Sequence, residues 1–315
     1  MRRLLRPRIL DACFAFLRKR LSEKEMFYYF SKYCYQILKY DYYSPVPDDQ
    51  DLSHLQNTQL IGVNLNEAAA LTLIEEIVKP YKTEFNAFPV DTTSDSQPFK
   101  LLNGTFMAID GNIYYGLIRH YQPHRIVEVG SGNSTLLAAA AIRLNVAQGK
   151  RKSELIAIEP YPPAVLNGLS ELTQLVQKRV QDVPLTFFEE LQSGDILFLD
   201  STHILRSGGD IWWEYCEILP RLKPGVLVHI HDVALPEPYP RVYIDQGWYW
   251  NEQWLLQSFL TFNDHYEVLW PGNYLMVHYP DKIKAAFSPE YEQMRTKFPL
   301  SGPASFWMRV KATAS

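Results

Sequence analysis

Two histidines and two aspartates of this sequence stand where chemistry is expected. Asp200 and His203 follow one buried apolar run, and His231 and Asp232 close another. If the two runs are neighbouring strands of a parallel sheet, their carboxyl ends flank the crevice in which such sheets bind ligands. The four side chains are therefore expected to converge. An imidazole that titrates near neutrality can accept a proton from a substrate, so His203 and His231 are candidate general bases, with Asp200 as a third candidate catalytic residue.

A glycine loop indicates a bound cofactor. The run Arg125-Ile-Val-Glu-Val leads into Gly130-Ser131-Gly132, and an alanine-rich helix follows with Ser134 in its first turn. Glycines let a ligand approach the backbone closely, and a helix N-terminus offers free N–H groups. This arrangement suits a nucleotide-type cofactor. It is not the dinucleotide fingerprint, whose third glycine would fall at Thr135, and the chain has no GxxxxGK[ST] phosphate loop.

Acidic residues near the strand ends narrow the choice of cofactor. Glu128 comes just before the glycines, where it repels a pyrophosphate and attracts a cationic amino-acid group. Glu159 ends the second predicted strand, from which a carboxylate can accept hydrogen bonds from both ribose hydroxyls. Asp182 and Asp200 follow the third and fourth predicted strands.

This constellation resembles the class I S-adenosylmethionine-dependent methyltransferases over residues 110–310. In that family the ExGxGxS loop lies under the methionine part of the cofactor, an acid after the second strand holds the ribose, and an acid after the third strand often meets the adenine amine. The resemblance implies that S-adenosylmethionine is the cofactor and that it is bound by Glu128, Gly130, Ser131, Gly132, Ser134, Glu159, Asp182 and Asp200.

The later strands resemble a bacterial branch of the family that is distantly related to catechol-type and macrolide-sugar O-methyltransferases. In those relatives, acids after the fourth and fifth strands bind a divalent cation that orients a substrate hydroxyl. The resemblance implies a metal site at Asp200, His231 and Asp232 for Mg²⁺, Mn²⁺ or Fe²⁺. His231 stands where the macrolide-type pattern has a second aspartate, and His203 is an addition. Histidine suits borderline metals, whereas Mg²⁺ prefers oxygen ligands.

A long loop follows Asp232 and holds three prolines, Pro236, Pro238 and Pro240. Loops of this length beside a catalytic edge are often binding loops. We predict that Tyr239, Tyr243 and Asn251 contact a flat or sugar-like small-molecule substrate. Trp250 and Trp254 lie at helical spacing and are expected to pack a helix on the sheet.

Several neighbouring polar residues are expected to have structural roles. His229 lies two residues before His231, which places both on one face of a strand, and it is predicted to be a hydrogen-bonded core residue. Asp210 opens a helix after two glycines and is predicted to cap it.

Short apolar runs alternate with helical segments in the part of the chain that positions these residues. This alternation predicts an α/β fold. We expect a Rossmann-like, seven-stranded, mostly parallel sheet with helices on both faces, and a helical N-terminal extension. The predicted methyltransferase domain is 110–315, and the extension or cap is 1–109. Predicted strands are 125–129, 154–159, 176–181, 196–199, 226–230, 266–270 and 305–310, and predicted helices are 110–121, 134–147, 163–173, 185–191, 208–221, 248–263 and 281–295.

The charge distribution excludes some classes of protein. The 315-residue chain has a net charge of −4, but residues 1–25 hold eight Lys/Arg against three acids. The acidic remainder argues against nucleic-acid binding. Three distant cysteines and no long apolar stretch predict a cytoplasmic protein without a transmembrane segment. The N-terminal helices are expected to cover the site or form a homodimer interface, and the basic segment 2–20 either packs as a solvated helix or contacts a membrane surface or carrier protein.

These inferences predict an S-adenosylmethionine-dependent methyltransferase that methylates a small-molecule hydroxyl, with a histidine general base and divalent-metal assistance. Three alternatives stay open at this point. One is a metal-dependent hydroxylase-like relative on the same fold, and another is a non-catalytic binding protein with a methyltransferase fold. The third, a nicotinamide oxidoreductase, is disfavoured by Glu128 and by the missing third glycine.

Overall fold

Seven short apolar runs pair into one twisted sheet in the computed structural model, of which residues 7–36, 38, 41–92 and 98–312 are described. Its strands are rich in Ile, Val and Leu, and the central ones are buried on both faces, as expected for a parallel sheet that helices cover on both sides. The strands are Arg125–Val129 (β1), Glu154–Ile158 (β2), Leu172–Val176 (β3), Ile196–Leu199 (β4), Leu227–Ile230 (β5), Tyr266–Pro271 (β6) and Phe306–Val310 (β7).

The strand order is β3-β2-β1-β4-β5-β7-β6, in which β7 runs antiparallel to both of its neighbours. The other pairs are parallel. The chain leaves β1 toward β2 on one side and later returns to pair β4 on the other side. The carboxyl ends of β1 and β4 therefore flank the switch point at which such sheets bind ligands.

Fourteen α-helices surround the sheet or precede it in the described part of the chain. They are Pro7–Arg20 (α1), Glu23–Ser31 (α2), Asp49–Ser53 (α3), Glu67–Leu73 (α4), Lys79–Asn86 (α5), Asp110–Tyr121 (α6), Asn133–Ala147 (α7), Leu185–Glu189 (α8), Asp210–Trp213 (α9), Arg241–Asp245 (α10), Glu252–Leu260 (α11), Gly272–His278 (α12), Pro280–Ala286 (α13) and Glu290–Lys297 (α14). Wider π-helical turns at Ile74–Val78 and Glu214–Ile218 join α4 to α5 and extend α9. Short 3₁₀ turns lie at Ala164–Leu166, Val180–Asp182 and Leu219–Arg221.

Two apolar cores lie on opposite faces of the sheet. Ile126 of β1 points into one core with α4 to α7, and the next residue, Val127, points into the other with α9 and α11. This alternation follows from the two-residue period of a strand. The predicted Rossmann-like α/β fold with helices on both faces is confirmed.

The chain divides into two compact units, residues 1–55 and 56–315. The first contains α1 to α3, and α2 begins with a capping box, in which the Ser22 hydroxyl accepts from the Glu25 N–H and the Glu25 carboxylate accepts from the Ser22 N–H. In the second unit α4 and α5 share a core with α6 and α7. The assignment of residues 110–315 to the methyltransferase domain, and of residues 1–109 to an extension, stays a prediction.

Several predicted element boundaries were wrong. The third strand is Leu172–Val176 and not 176–181, and the predicted helix 163–173 is a single 3₁₀ turn. Pairing with β2 sets the strand, and Gly168, in the left-handed region at φ +78°, follows the turn and precludes a longer helix. Pro80 does not end the helical segment that begins with α4, because it occupies the first turn of α5, where its missing N–H costs little.

The C-terminal helices also differ from the prediction. The predicted helix 248–263 is the shorter α11, preceded by the unpredicted α10. The predicted helix 281–295 is divided into α13 and α14, and α12 before them was not predicted. No helix in the described ranges has both the length and the apolar character needed to cross a bilayer.

The approach of α6 to the π-helical turn Ile74–Val78 gives a test of the packing. A Cβ atom at Gly116 would lie 2.5 Å from Ile77 Cγ2 and 2.6 Å from the Ile77 backbone oxygen. Replacing a mid-helix glycine with alanine ordinarily stabilises a helix by up to about 1 kcal/mol. Here we expect Gly116→Ala to lower the free energy of unfolding by about 1–3 kcal/mol, because the added methyl overpacks the contact.

Urea denaturation of the two proteins measures this difference. The matched control is Gly132→Ala, since a Cβ at Gly132 meets no atom within 4 Å. The control should stay within about 0.5 kcal/mol of the wild type. Equal or greater stability of Gly116→Ala would contradict the packing described.

Candidate active site

The loop after β1 is locked to the loop after β4 by their backbones. Gly130 has a φ of +83°, and a Cβ atom there would lie 1.9 Å from the Asp200 backbone oxygen. The Asp200 N–H donates to the Val129 carbonyl at 2.9 Å, and the Gly130 N–H donates to the Ile158 carbonyl at 3.0 Å. Only glycine fits at position 130, because any side chain would collide with the backbone that carries Asp200.

The remainder of the glycine loop faces a cavity of about 840 Å³, hereafter the larger cavity. Ser131, Gly132 and Ser134 line it, and a Cβ added at Gly132 would enter open space. The Ser131 hydroxyl oxygen is buried and has no hydrogen-bond partner among the residues that the structure describes. The loop therefore presents backbone and an unused hydroxyl to whatever occupies this space.

A second cavity of about 540 Å³, the smaller cavity, lies on the other side of Asp200. Gly130 and Glu159 line it, as predicted for cofactor-binding residues, and the Glu159 carboxylate accepts a 2.8 Å hydrogen bond from the Tyr161 N–H. Asp182 is exposed and does not line this cavity, whereas Gln181 does. Asp182 was predicted to face the cofactor, but the 3₁₀ turn directs the preceding residue, Gln181, toward the smaller cavity.

Glu128 lies beneath the glycine loop and lines neither cavity. Its buried carboxylate accepts hydrogen bonds from the Tyr114 hydroxyl at 2.7 Å and from the Thr135 hydroxyl at 2.5 Å. The Thr135 oxygen in turn accepts the Gly132 N–H at 3.0 Å. Burial raises the pKa of Glu128 from 4.5 to about 7, and the two hydrogen bonds offset part of that rise. In this structure Glu128 contacts the loop from below and orients it through Thr135.

Asp200, His231 and Asp232 converge as predicted, at the ends of β4 and β5. One ligand atom from each lies within 4.8 Å of the other two. His231 Nδ1 is 3.4 Å from an Asp200 carboxylate oxygen and 3.7 Å from an Asp232 oxygen. Both ring nitrogens of His231 are buried, and neither makes a hydrogen bond within the described part of the chain. All three side chains line the larger cavity, and Asp200 also lines the smaller one.

His203 lies behind these residues and lines neither cavity. Its Nε2 is 3.2 Å from an Asp232 oxygen and 3.4 Å from an Asp200 oxygen, and its Nδ1 is 2.8 Å from Glu252 Oε2. Burial would lower the pKa of His203, but hydrogen bonds to Asp200 and Glu252 outweigh it and raise the pKa well above its ordinary value. The charged ring contacts both aspartates on their side away from the larger cavity. His203 is therefore placed to orient these carboxylates and not to reach a substrate.

The pKa values of the cluster follow from its opposite charges. Burial would raise the pKa of Asp200, but the positive charges of His231 and His203 hold it well below its ordinary value. Burial likewise opposes charge on His231, yet Asp200 and Asp232 raise its pKa well above the usual range. The cluster is therefore strongly ionic in the absence of a ligand.

Asp110 and Glu252 belong to the site but were not predicted from the sequence. Asp110 begins α6 and lines the larger cavity; its carboxylate accepts from the backbone N–H groups of Ala304 and Ser305 and lies 3.7 Å from His231 Nε2. Glu252 begins α11 and is 2% exposed. Acids in the first turn of a helix are common, so neither carried a distinguishing sequence signal.

His229 has the expected surroundings, but the predicted capping role of Asp210 was wrong, because Gly209 is the N-cap residue of α9 and no described side chain caps this helix. His229 is buried, lies 2.8 Å from the Ser305 hydroxyl through Nε2, and stacks on Phe198; burial lowers its pKa well below the usual value. Asp210 begins α9 and accepts from the Thr202 N–H and hydroxyl, and it also lines the smaller cavity.

Aromatic side chains form one wall of the larger cavity. These are Tyr239, Tyr243, Trp248 and Trp250, whose rings contact one another. Trp250 thus faces the cavity instead of packing a helix on the sheet, whereas Trp254 packs against the core as expected. Asn251 does not line the cavity: its side chain accepts from the Leu205 N–H at 2.6 Å, and its own N–H donates to the His203 carbonyl.

Comparison with known proteins agrees with this arrangement. The model of a family described as a methyltransferase domain matches residues 127–233, which span the glycine loop and all of the cluster. These residues belong to a class I S-adenosylmethionine-dependent methyltransferase domain. The chain is also 31% identical over 166 residues to an uncharacterized protein of Archaeoglobus fulgidus. The aligned region covers 49% of this chain and 73% of that protein.

Two solved structures of methyltransferases are similar at low identity. An O-methyltransferase from Bacillus cereus in complex with SAH is 12% identical, with a TM-score of 0.35, over 76% of this chain and 91% of that one. A phosphoethanolamine N-methyltransferase from Haemonchus contortus is 14% identical, with a TM-score of 0.35, over 68% of this chain and 56% of that one. The acceptor of this methyltransferase has to be inferred from its own site.

The raised pKa of Glu128 predicts a pH-dependent stability. A carboxyl group with a folded-state pKa of about 7, above its ordinary 4.5, favours folding at low pH, and this contribution is lost as the pH rises through 7. Glu128→Gln keeps the size of the side chain and removes the titration. Between pH 5 and pH 8 we expect the stability of the wild type relative to the variant to fall by roughly 2–3 kcal/mol.

Urea denaturation at the two pH values measures this difference. Glu76→Gln is the matched control, since Glu76 is exposed. The difference between wild type and this control should not change with pH. A pH-independent difference for Glu128→Gln would show that Glu128 is ionised throughout.

Proposed function

We propose that this methyltransferase transfers the methyl group of S-adenosylmethionine to a hydroxyl oxygen of a small molecule bound in the larger cavity. The observation that carries the proposal is the position of Asp200 in the walls of both cavities. A cofactor bound along the glycine loop and an acceptor bound against the aromatic wall would meet at this carboxylate. Methyl transfer is an in-line displacement, so holding the two molecules in contact supplies most of the catalysis, on the order of 7–11 kcal/mol.

The cofactor fits the two cavities by its chemistry. The ribose hydroxyls would donate to Glu159 in the smaller cavity, with Gln181 near the base. The amino-acid end would lie over Ser131, Gly132 and Ser134, where the open space at Gly132 and the unpartnered Ser131 hydroxyl receive it. Glu128 supports this loop from below, through Thr135, and its role in cofactor binding is indirect.

The donor set Asp200, His231 and Asp232 fits a divalent cation. The three groups converge within 4.8 Å, and the buried His231 nitrogens lack a hydrogen-bond partner in the described chain. One nitrogen and two carboxylates suit Mn²⁺ or Fe²⁺ better than Mg²⁺. A cation bound there supplies a positive charge that lowers the pKa of the acceptor hydroxyl.

The surrounding residues would keep this donor set in position. Asp110 lies beside His231 Nε2, on the side away from Asp200, as the second partner of a ligating histidine usually does. His203 contacts the same Asp200 oxygen that faces His231 and the other oxygen of Asp232, and Glu252 holds His203. Between the two candidate bases, only His231 reaches the larger cavity, and His203 acts as a positioning residue.

The acceptor would be a molecule with a flat or ring-shaped face. Tyr239, Tyr243, Trp248 and Trp250 offer such a face beside the cluster, and a hydroxyl stacked there points toward Asp200 and Asp232. Asn251, predicted as a substrate residue, instead shapes the His203 loop.

Calorimetric titration tests cofactor binding. We expect S-adenosylmethionine and its demethylated product to bind at micromolar level. Gly132→Leu fills the open space beside the loop and should weaken both affinities at least tenfold, about 1.4 kcal/mol, while the free energy of unfolding stays close to that of the wild type. Absence of binding to the wild-type protein would refute the proposal.

Activity on a panel of hydroxylated aromatic and sugar compounds tests the chemistry. Asp200→Ala should abolish methylation, and the product should gain the mass of a methylene group and not of an oxygen atom, which would instead indicate a hydroxylase. Dialysis against EDTA should reduce the rate by roughly 10²-fold or more, with recovery on adding Mn²⁺ or Fe²⁺. Full activity without metal would refute the proposed metal assistance.

A further inference from the structure

The N-terminal unit has no apolar core among its described residues. Every described side chain from Ile9 to Leu55 is exposed or half-buried. Twelve of the 23 exposed large apolar side chains of the described chain lie in this short segment. Monomeric proteins rarely expose so much apolar surface in one place unless something binds it.

The exposed side chains are chiefly aromatic. They are Phe14 and Phe16 of α1, Phe27, Tyr28 and Tyr29 of α2, and Tyr33, Tyr35, Tyr42 and Tyr43 after it. Tyrosine has an apolar ring and a polar tip, and it is enriched at the headgroup level of membranes for that reason. A protein partner with a dry interface would leave the hydroxyls of these tyrosines without water.

Basic side chains accompany these rings. The last turn of α1 is Arg18, Lys19 and Arg20, and the Arg20 guanidinium lies 5.5 Å from the Phe16 ring. After α2 the Lys32 ammonium lies 4.3 Å from the Tyr28 ring and 5.2 Å from the Tyr29 ring. Side chains of this kind place their stems on apolar surface and their charges in a polar layer.

The net charge identifies the kind of surface that this unit would bind. Residues 1–36 hold nine Lys/Arg and three acids, against a net charge of −4 for the whole chain. Residues 1–6 lie outside the described part, but their three arginines belong to this count. The remaining chain is acidic and would be repelled by an anionic membrane. Of the two units, the N-terminal one combines exposed aromatic rings with a net positive charge, which is opposite to the charge of an anionic membrane.

We propose that α1 and α2 bind the surface of a bilayer that contains anionic lipids. The helices lie in the interface, with their aromatic rings at the headgroup level and their basic side chains beside lipid phosphates. The inference is independent of the acceptor and of the metal, because it uses no residue of the two cavities.

Sedimentation with vesicles tests this inference. The full chain should bind vesicles of phosphatidylcholine mixed with phosphatidylglycerol and should not bind vesicles of phosphatidylcholine alone. Raising the salt concentration should weaken binding, since the attraction is screened. Failure to bind the anionic vesicles would overturn the proposal.

Two variants and a matched control separate specific binding from general charge effects. Reversal of Arg18, Lys19 and Arg20 to glutamate should weaken binding to anionic vesicles roughly 100-fold or more, since each basic residue contributes to the attraction. The control reverses Lys150, Arg151 and Lys152, another run of three basic residues, in the loop between α7 and β2, and should bind like the wild type. Equal loss in both triple variants would contradict the proposal.

The second variant, Phe14→Ser with Phe16→Ser, removes two half-exposed rings and leaves the charge unchanged. It should also lose binding, which a purely electrostatic attraction would not predict. S-adenosylmethionine titration verifies that each variant retains a folded cofactor site. If ultracentrifugation shows a wild-type dimer that this variant dissociates while its vesicle binding is unchanged, a second copy covers the rings and the proposal is wrong.

Discussion

The contact between Gly130 and the backbone of Asp200 is the constraint on which the rest of the site depends. Two loops, from the ends of β1 and β4, pass so closely that no side chain fits between them. The contact lies at the switch point of the sheet, where the chain connections diverge and leave a crevice. It fixes Asp200 between the two cavities, and everything that is proposed to react there is arranged around that residue.

Buried charge organises the site outward from Asp200. Asp200 and Asp232 contact His203 on one side and approach His231 on the other, and the second nitrogen of each histidine faces a further carboxylate, Glu252 or Asp110. The two histidines, Asp110 and Glu252 are buried, and Asp200 and Asp232 are half-buried. Charges in such surroundings are costly unless they are paired. The pairing restricts the side chains to one arrangement, which is what a site that must hold a cation or orient a hydroxyl requires.

Glu128 shows how an expected role changes when its surroundings are known. Its place before the glycines is typical of a cofactor ligand, but the side chain turns under the loop and accepts hydrogen bonds from Tyr114 and Thr135. Burial then raises the pKa of its carboxyl group. Its contribution is the shape of the loop, and the cavity surface is made by backbone and by serine side chains.

Local signals in the sequence were sufficient for the order of strands and helices around the site, the position of the glycine loop and the convergence of Asp200, His231 and Asp232. The ends of β1, β4 and β5 follow from where apolar runs give way to glycines or polar residues, so they can be read without the fold. The end of β3 could not be read in this way, because pairing with β2 sets that strand. Tertiary packing alone decided that Gln181 and not Asp182 faces the smaller cavity, that Trp250 lines the larger one, and that Asn251 supports the His203 loop. Asp110 and Glu252 entered the site for the same reason, because partners more than 40 residues away determine where those side chains point.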